Sequence, residues 1–116
     1  MSNKELKQIL VAHPVKFAAE AIKSFLQLKG INCYLLDDLK DFRYLIEDLA
    51  PQLILIHEDI YSEQKEVFAG QIDGVGVVKY ILISKVDSPE LEVFHGRLEE
   101  PYEIGEISKI LQSFLD

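Results

Sequence analysis

Apolar residues fall into five short runs: Gln8–Ala12, Ile31–Leu36, Leu53–Ile56, Tyr80–Ile83 and Val93–Leu98. The first four are almost unbroken in aliphatic and β-branched side chains, the pattern of strands covered on both faces. The fifth alternates and contains Gly96, so it is the least regular of the set. Between the runs the period changes to that of a helix. Ala18, Ala21, Ile22 and Phe25 share one face of a segment from Pro14 to Leu28, with Pro14 suited to a first helical turn and Gly30 to a left-handed stop. Leu39, Phe42, Leu45, Ile46 and Leu49 form a second stripe, with Asp38 as its expected N-cap and Pro51 as its end. Ser62 is the expected cap of a third segment running to Gln71, with Val67 and Phe68 inward. Ile107, Ile110, Leu111, Phe114 and Leu115 give a last stripe.

Strands alternating with helices predict right-handed crossovers and a doubly wound α/β sandwich. Five strands of this length favour the flavodoxin-like order 2-1-3-4-5. The stretch from Lys85 to Glu92 is too short for a full crossover helix, so helix 4 is expected to be short or missing. The 116 residues are expected to form a single domain, 1–116, with a core of its own. With 48% hydrophobic residues the chain has enough apolar mass to fold, and no run is long enough to span a bilayer. Twelve basic residues against 20 acidic ones give a net charge of −8, which disfavours a nucleic-acid backbone as partner. The single cysteine, Cys33, has no partner for an internal disulfide and is expected to be a small buried apolar group. The N-terminus lacks an apolar secretory stretch, and a cytoplasmic location is expected.

In this architecture function collects beyond the C-terminal ends of the strands. Those ends carry His13 and Pro14, then Asp37 and Asp38, then His57, Glu58 and Asp59, then Ser84, then Glu99 and Glu100. The segments Ile9-Leu10-Val11-Ala12, Pro51-Gln52-Leu53-Ile54-Leu55-Ile56, Ile81-Leu82-Ile83-Ser84 and Leu98-Glu99-Glu100-Pro101-Tyr102 resemble, in order and spacing, a bacterial response-regulator receiver domain, CheY-like. The resemblance covers almost the whole chain. It implies phosphoryl transfer to an aspartate after strand 3, Mg²⁺ on an acidic pair after strand 1, a hydroxyl after strand 4, a lysine after strand 5 and a mobile strand-5 aromatic ring. Here the acceptor position falls on His57, the acidic pair on His13 and Pro14, the hydroxyl on Ser84, the lysine on Glu100 and the switch aromatic on Arg97. Only the hydroxyl is kept. Proline offers Mg²⁺ no side-chain ligand and imidazole is a poor one for so hard an ion. Glutamate in place of lysine repels a phosphoryl group. The chain is therefore expected to be a pseudo-receiver, without enzymatic activity and with no cofactor.

Several residues have competing readings. His13 and His57 end strands about 4.8 Å apart and, with Asp59 or Glu58, make a conceivable site for Zn²⁺ or a small ligand. The alternative is that both rings fill the former acidic pocket and hydrogen-bond to nearby backbone. Asp59 is a remote candidate phosphoryl acceptor and a better candidate for capping the next turn. Asp37 and Asp38 suit a helix N-terminus, and His95 the exposed side of strand 5. Gly74-Val75-Gly76 precedes a strand instead of following one, which excludes a dinucleotide loop. The Glu100–Pro101 bond is open between cis and trans.

The leading expectation is a phosphorylation-independent protein-interaction module in bacterial signal transduction or cell organisation. Its partner would be another signalling protein or the rest of a signalling complex, with neither nucleic acid nor membrane involved. A homodimer through strand 5 and the last helix is a further expectation, with Lys85, Glu90, Glu92, Arg97 and Glu99 as interface candidates. The alternative is a metal- or small-ligand-binding sensor built on His13 and His57.

Overall fold

The computed structural model describes residues 8–36, 39–40, 42–72, 78–85 and 94–115. Five parallel strands form one sheet in the order β2-β1-β3-β4-β5. They are β1 (Gln8–Ala12), β2 (Asn32–Leu36), β3 (Leu53–His57), β4 (Lys79–Lys85) and β5 (Gly96–Glu100). The helices are α1 (Lys16–Leu28), α2 (Phe42–Leu49), α3 (Glu58–Glu63), α4 (Lys65–Ile72) and α5 (Glu106–Leu115). This is the flavodoxin-like arrangement the alternating pattern predicts. The question of a helix between β4 and β5 lies outside the described residues, as do Asp37, Asp38, Gly74 to Gly76, Glu90 and Glu92.

Strand parity sorts the core into two layers. Ile9, Val11, Leu53, Leu55, Ile81, Ile83 and Leu98 face α1 and α5, meeting Ile22, Leu26, Ile107 and Leu111. Leu10, Ala12, Ile54, Ile56 and Tyr80 face α2, α3 and α4, meeting Phe42, Ile46, Ile60 and Phe68. Unbroken apolar runs are what a sheet covered on both sides requires. Gly96 has a packing reason: a Cβ there would lie 3.0 Å from both Ile81 Cδ1 and Phe114 Cζ. The missing side chain lets α5 close onto the edge strand.

Several ends differ from the sequence reading. Pro14 precedes α1 instead of opening it, because Val15 is extended and serves as the N-cap. Gly30 does stop this helix, at φ +77°. Helix α2 starts at Phe42; Leu39 is buried ahead of it, its N–H held by the Gln64 side chain at 2.8 Å. Ala50 ends α2 at φ +48°, a left-handed conformation that costs a non-glycine residue roughly 1 kcal/mol. Ser62 is not a cap, since α3 begins directly after β3 with His57 capping it. The helical stretch then breaks at Gln64, and Val67 is exposed while Phe68 is buried.

Strand β5 starts three residues later than expected. His95 occupies the step before it, donating its N–H to the Tyr80 carbonyl at 2.8 Å while its Nδ1 accepts the Tyr80 N–H at 3.0 Å. A side chain thus replaces the ladder carbonyl there. Glu99 and Glu100 consequently belong to β5 itself. His95 is exposed, and Cys33 is only half-buried, with burial still pushing its thiol up to about 12.

Phe68 closes the second layer. Its ring meets Phe42, Tyr61, Tyr80 and Phe94 at centroid distances of 5.6, 5.4, 5.5 and 5.9 Å. Phe68→Ala removes a fully buried ring and four aromatic contacts. It is expected to destabilise the fold by about 3–5 kcal/mol, measured by urea denaturation.

Candidate functional site

The same parity that divides the core builds the site. His57 continues the Leu53–Leu55 face of β3, Glu100 continues the Leu98 face of β5, and His13 follows Val11 at the end of β1. All three therefore rise on the α1/α5 side of the sheet. The register sets Ala12 beside Ile56 and His57 beside Ile83, so the two histidines end adjacent strands. Their ring centroids are 4.5 Å apart with planes inclined by 50°. Glu100 sits two strands from His57 and two residues beyond Leu98. Its long side chain reaches back over β4, and its Oε1 lies 3.1 Å from His57 Nε2.

Each ring is oriented by backbone. Val15 N–H donates to His13 Nδ1 at 3.1 Å, and Asp59 N–H donates to His57 Nδ1 at 3.1 Å. A nitrogen that accepts an N–H bears a lone pair, so the proton of each neutral ring resides on Nε2. His57 Nε2–H then donates to Glu100 Oε1. His13 Nε2–H has the other carboxylate oxygen 3.9 Å away, beyond hydrogen-bond range. The His13 side chain is 2% exposed, and that nitrogen meets no partner among the described residues. Burial first, and then the neighbouring His57, hold the His13 ring below its ordinary pKa, against the opposing pull of Glu100 and Asp59. The site is thus a carboxylate set against two imidazole N–H groups.

Other residues at the strand ends stand apart. Ser84 is fully buried but has the opposite strand parity, on the side of Tyr80 and Leu82. Asp59 is 65% exposed, with Oδ2 3.8 Å from His57 Nδ1, the side of the ring that faces away from Glu100. Glu58 Oε2 accepts the Lys85 N–H at 2.9 Å, tying the start of α3 to the end of β4. Arg97 packs half-buried on β5, with Nη1 3.5 Å from Glu99 Oε2. The Glu100–Pro101 bond is cis. Sequence reasoning missed Gln64, whose side chain positions Leu39. It also treated Glu100 as a repulsive group and overlooked its bond to His57. The signal for that bond was present in the shared parity of His57 and Glu100.

Ligand atoms of His13, His57 and Glu100 lie within 4.8 Å of one another, close enough to surround an ion. The third group is Glu100; Asp59, the acid paired with these histidines in the sequence reading, is turned to the other ring nitrogen. The donor chemistry nevertheless disfavours a metal. An imidazole ligating through Nε2 keeps its proton on Nδ1 and donates it to a second-shell acceptor. Here both Nδ1 atoms face N–H donors, which leaves the proton on the nitrogen that would have to bind. Mg²⁺ fits no better, since it prefers several oxygens and His13 and Pro14 supply none from their side chains.

No protein-family model matches the chain, and no curated protein sequence matches it. Solved structures do. A CheY-like response regulator receiver domain from Methylobacillus flagellatus is similar at TM-score 0.75 and 20% identity, covering 95% of this chain and 99% of that one. The N-terminal domain of the nisin resistance regulator NsrR gives a TM-score of 0.80 at 14% identity over 97% of this chain and 100% of the other. The signal receiver domain of a response regulator from Bermanella marisrubri gives 0.80 at 15%, again over 97% and 100%. The likeness covers nearly the full length on both sides. The chain has the fold of CheY-like response-regulator receiver domains.

Proposed function

We infer that this domain works in signal transduction as a non-catalytic, phosphorylation-independent pseudo-receiver, binding a protein partner through its surface. The observation that carries the reading is the His57–Glu100 hydrogen bond of 3.1 Å. In the receiver family an aspartate acceptor faces a lysine after strand 5. Here an imidazole N–H faces a carboxylate, so the polarity of the pair is reversed. A transferring phosphoryl group needs metal or cationic groups around its oxygens. At this position it would meet Glu100 instead. Residues 1–116 would then act as one interaction domain, valued for its scaffold.

The β5–α5 side supports a docking role. Arg97, Leu98, Glu99, Glu106, Lys109 and Ile110 line an open groove of about 370 Å³. Cations and carboxylates are mixed along it, a pattern that fits a partner of mixed charge or a second copy of the chain. Among the described residues β5 has a strand neighbour on one side only. Lys85 is exposed at the end of β4 and borders the same edge. Among the described residues no helix is long and apolar enough to cross a membrane.

The convergence of His13, His57 and Glu100 favours one second reading, a metal or small-ligand sensor, and three experiments separate the possibilities. Incubation with a small phosphodonor and Mg²⁺ should leave the intact mass unchanged; a stoichiometric phosphoryl adduct would refute the leading reading. Calorimetric titration with Zn²⁺ should give the same weak signal for the native chain and for His13→Ala, whereas a stoichiometric site lost in the variant would establish the sensor. Sedimentation at high concentration tests the homodimer. Arg97→Glu is expected to weaken self-association by about tenfold or less, the scale of one partly exposed charge contact, and identical profiles for both chains would exclude a dimer through this groove.

A further inference from the structure

We propose that His57 is a proton-operated latch, whose protonation at Nδ1 releases the first turn of α3 and, through Glu58, the end of β4. This extends beyond the interaction role and does not depend on it.

The geometry leaves the incoming proton one place to go. His57 Nε2 already carries hydrogen, which is donated to Glu100. The free lone pair is on Nδ1, where it accepts the Asp59 N–H at 3.1 Å and caps α3. A proton on Nδ1 sets two N–H dipoles against each other, so the cap must break. The new Nδ1–H has a partner within reach: Asp59 Oδ2 is 3.8 Å away and needs only a side-chain adjustment to accept it. The ring thus exchanges a backbone partner for the carboxylate of the same residue. Meanwhile its bond to Glu100 becomes an ion pair.

The consequence is local but connected. Helix α3 has six residues, so one cap is a large part of what holds it. Its first residue, Glu58, holds the Lys85 N–H at 2.9 Å. Lys85 is the register partner of Glu100 on β5, which closes the circuit at the carboxylate that holds the histidine. Loosening the first turn of α3 therefore frees the tip of β4 beside the edge strand.

The two rings have different surroundings. Facing the ring are His13 from the end of β1, Asp59 from α3 and Glu100 from β5; Glu58, the next residue in the chain, holds the backbone N–H of Lys85 on β4, whose side chain is exposed. Beyond Glu100 stands Tyr102, whose phenol is pushed up by burial and then by that carboxylate, so it stays neutral. His57 has carboxylate oxygens at 3.1 and 3.8 Å, whereas His13 has one at 3.9 Å. His13 is further disfavoured by burial, and a charge on His57 opposes a second proton one ring away. The device takes up a single proton.

The test uses the full ¹⁵N-labelled chain, with imidazole nitrogen and amide spectra and amide exchange recorded from pH 8 to 5. At pH 8 His57 should show the Nε2–H form. As pH falls, the Asp59 and Lys85 amides should move with the midpoint of the His57 ring. After correction for intrinsic rates, Lys85 exchange should accelerate roughly fivefold, the equilibrium equivalent of a lost cap. His57→Asn keeps an oxygen where Nδ1 accepts, holds the cap and cannot titrate, so both amides should become insensitive to pH. An Nδ1–H form at pH 8, flat Asp59 and Lys85 amides in the native chain, or an unchanged pH response in His57→Asn would each overturn the latch. If the variant does not fold, the ring form and the coincidence of midpoints in the native chain decide the matter.

Discussion

Two backbone N–H groups, those of Val15 and Asp59, point at the Nδ1 atoms of His13 and His57. The chemistry at this sheet edge follows from that. They place the ring protons on Nε2, turn both N–H groups toward Glu100 and make the pair poor metal ligands. They also tie ring protonation to the local backbone. An imidazole used as a helix cap differs from serine, which does not titrate in this range, and from aspartate, whose oxygens still accept after protonation, because Nδ1 has a single lone pair for both roles. Capping and titration therefore compete for one lone pair.

The strand order of the fold decides which residues can meet at this edge. The strand ends still converge, because parallel strands in the order 2-1-3-4-5 bring the ends of β1 and β3 together and leave β5 within a long side chain's reach. In the family scheme an anionic acceptor is balanced by cations. Here the anion is on β5 and the hydrogen-bond donors are on β1 and β3. The site is joined to the ends of β4 and β5 by contacts of its own. Glu58 holding Lys85 is one visible link, and the Glu100–Lys85 register is the other.

Much of the architecture was legible because continuous apolar runs such as Leu53 to Ile56 have one stable use, a strand buried on both faces. The stripes of α2 and α5 were equally plain, whereas the buried face of α1 runs through Ala19, Ile22 and Leu26 and leaves Ala21, read as inward from sequence, exposed. Helix α3 was not. Its cap is a histidine at a strand end, a residue type that carries no start signal, so Ser62 was the apparent cap from sequence. Strand β5 was displaced because His95 substitutes a ring nitrogen for a ladder carbonyl, which no periodicity can report. At the site, the residue identities were readable and their pairing was only implicit. Glu100 and His57 meet only through parity and register across three strands, and sequence adjacency pointed instead to Asp59.

This difference between identity and pairing bears on how the domain can work. If Glu100 merely removed a lysine, the pocket would be inert and any residue unable to bind a phosphoryl group would serve. The carboxylate instead accepts the His57 Nε2–H, which leaves Nδ1 as the atom that caps α3. Glu100 and His57 are physically coupled through their hydrogen bond. Either alone would leave a charge or a ring without its counterpart at the sheet edge; together they satisfy each other and leave His13 Nε2 as the unpartnered nitrogen of the cluster among the described residues.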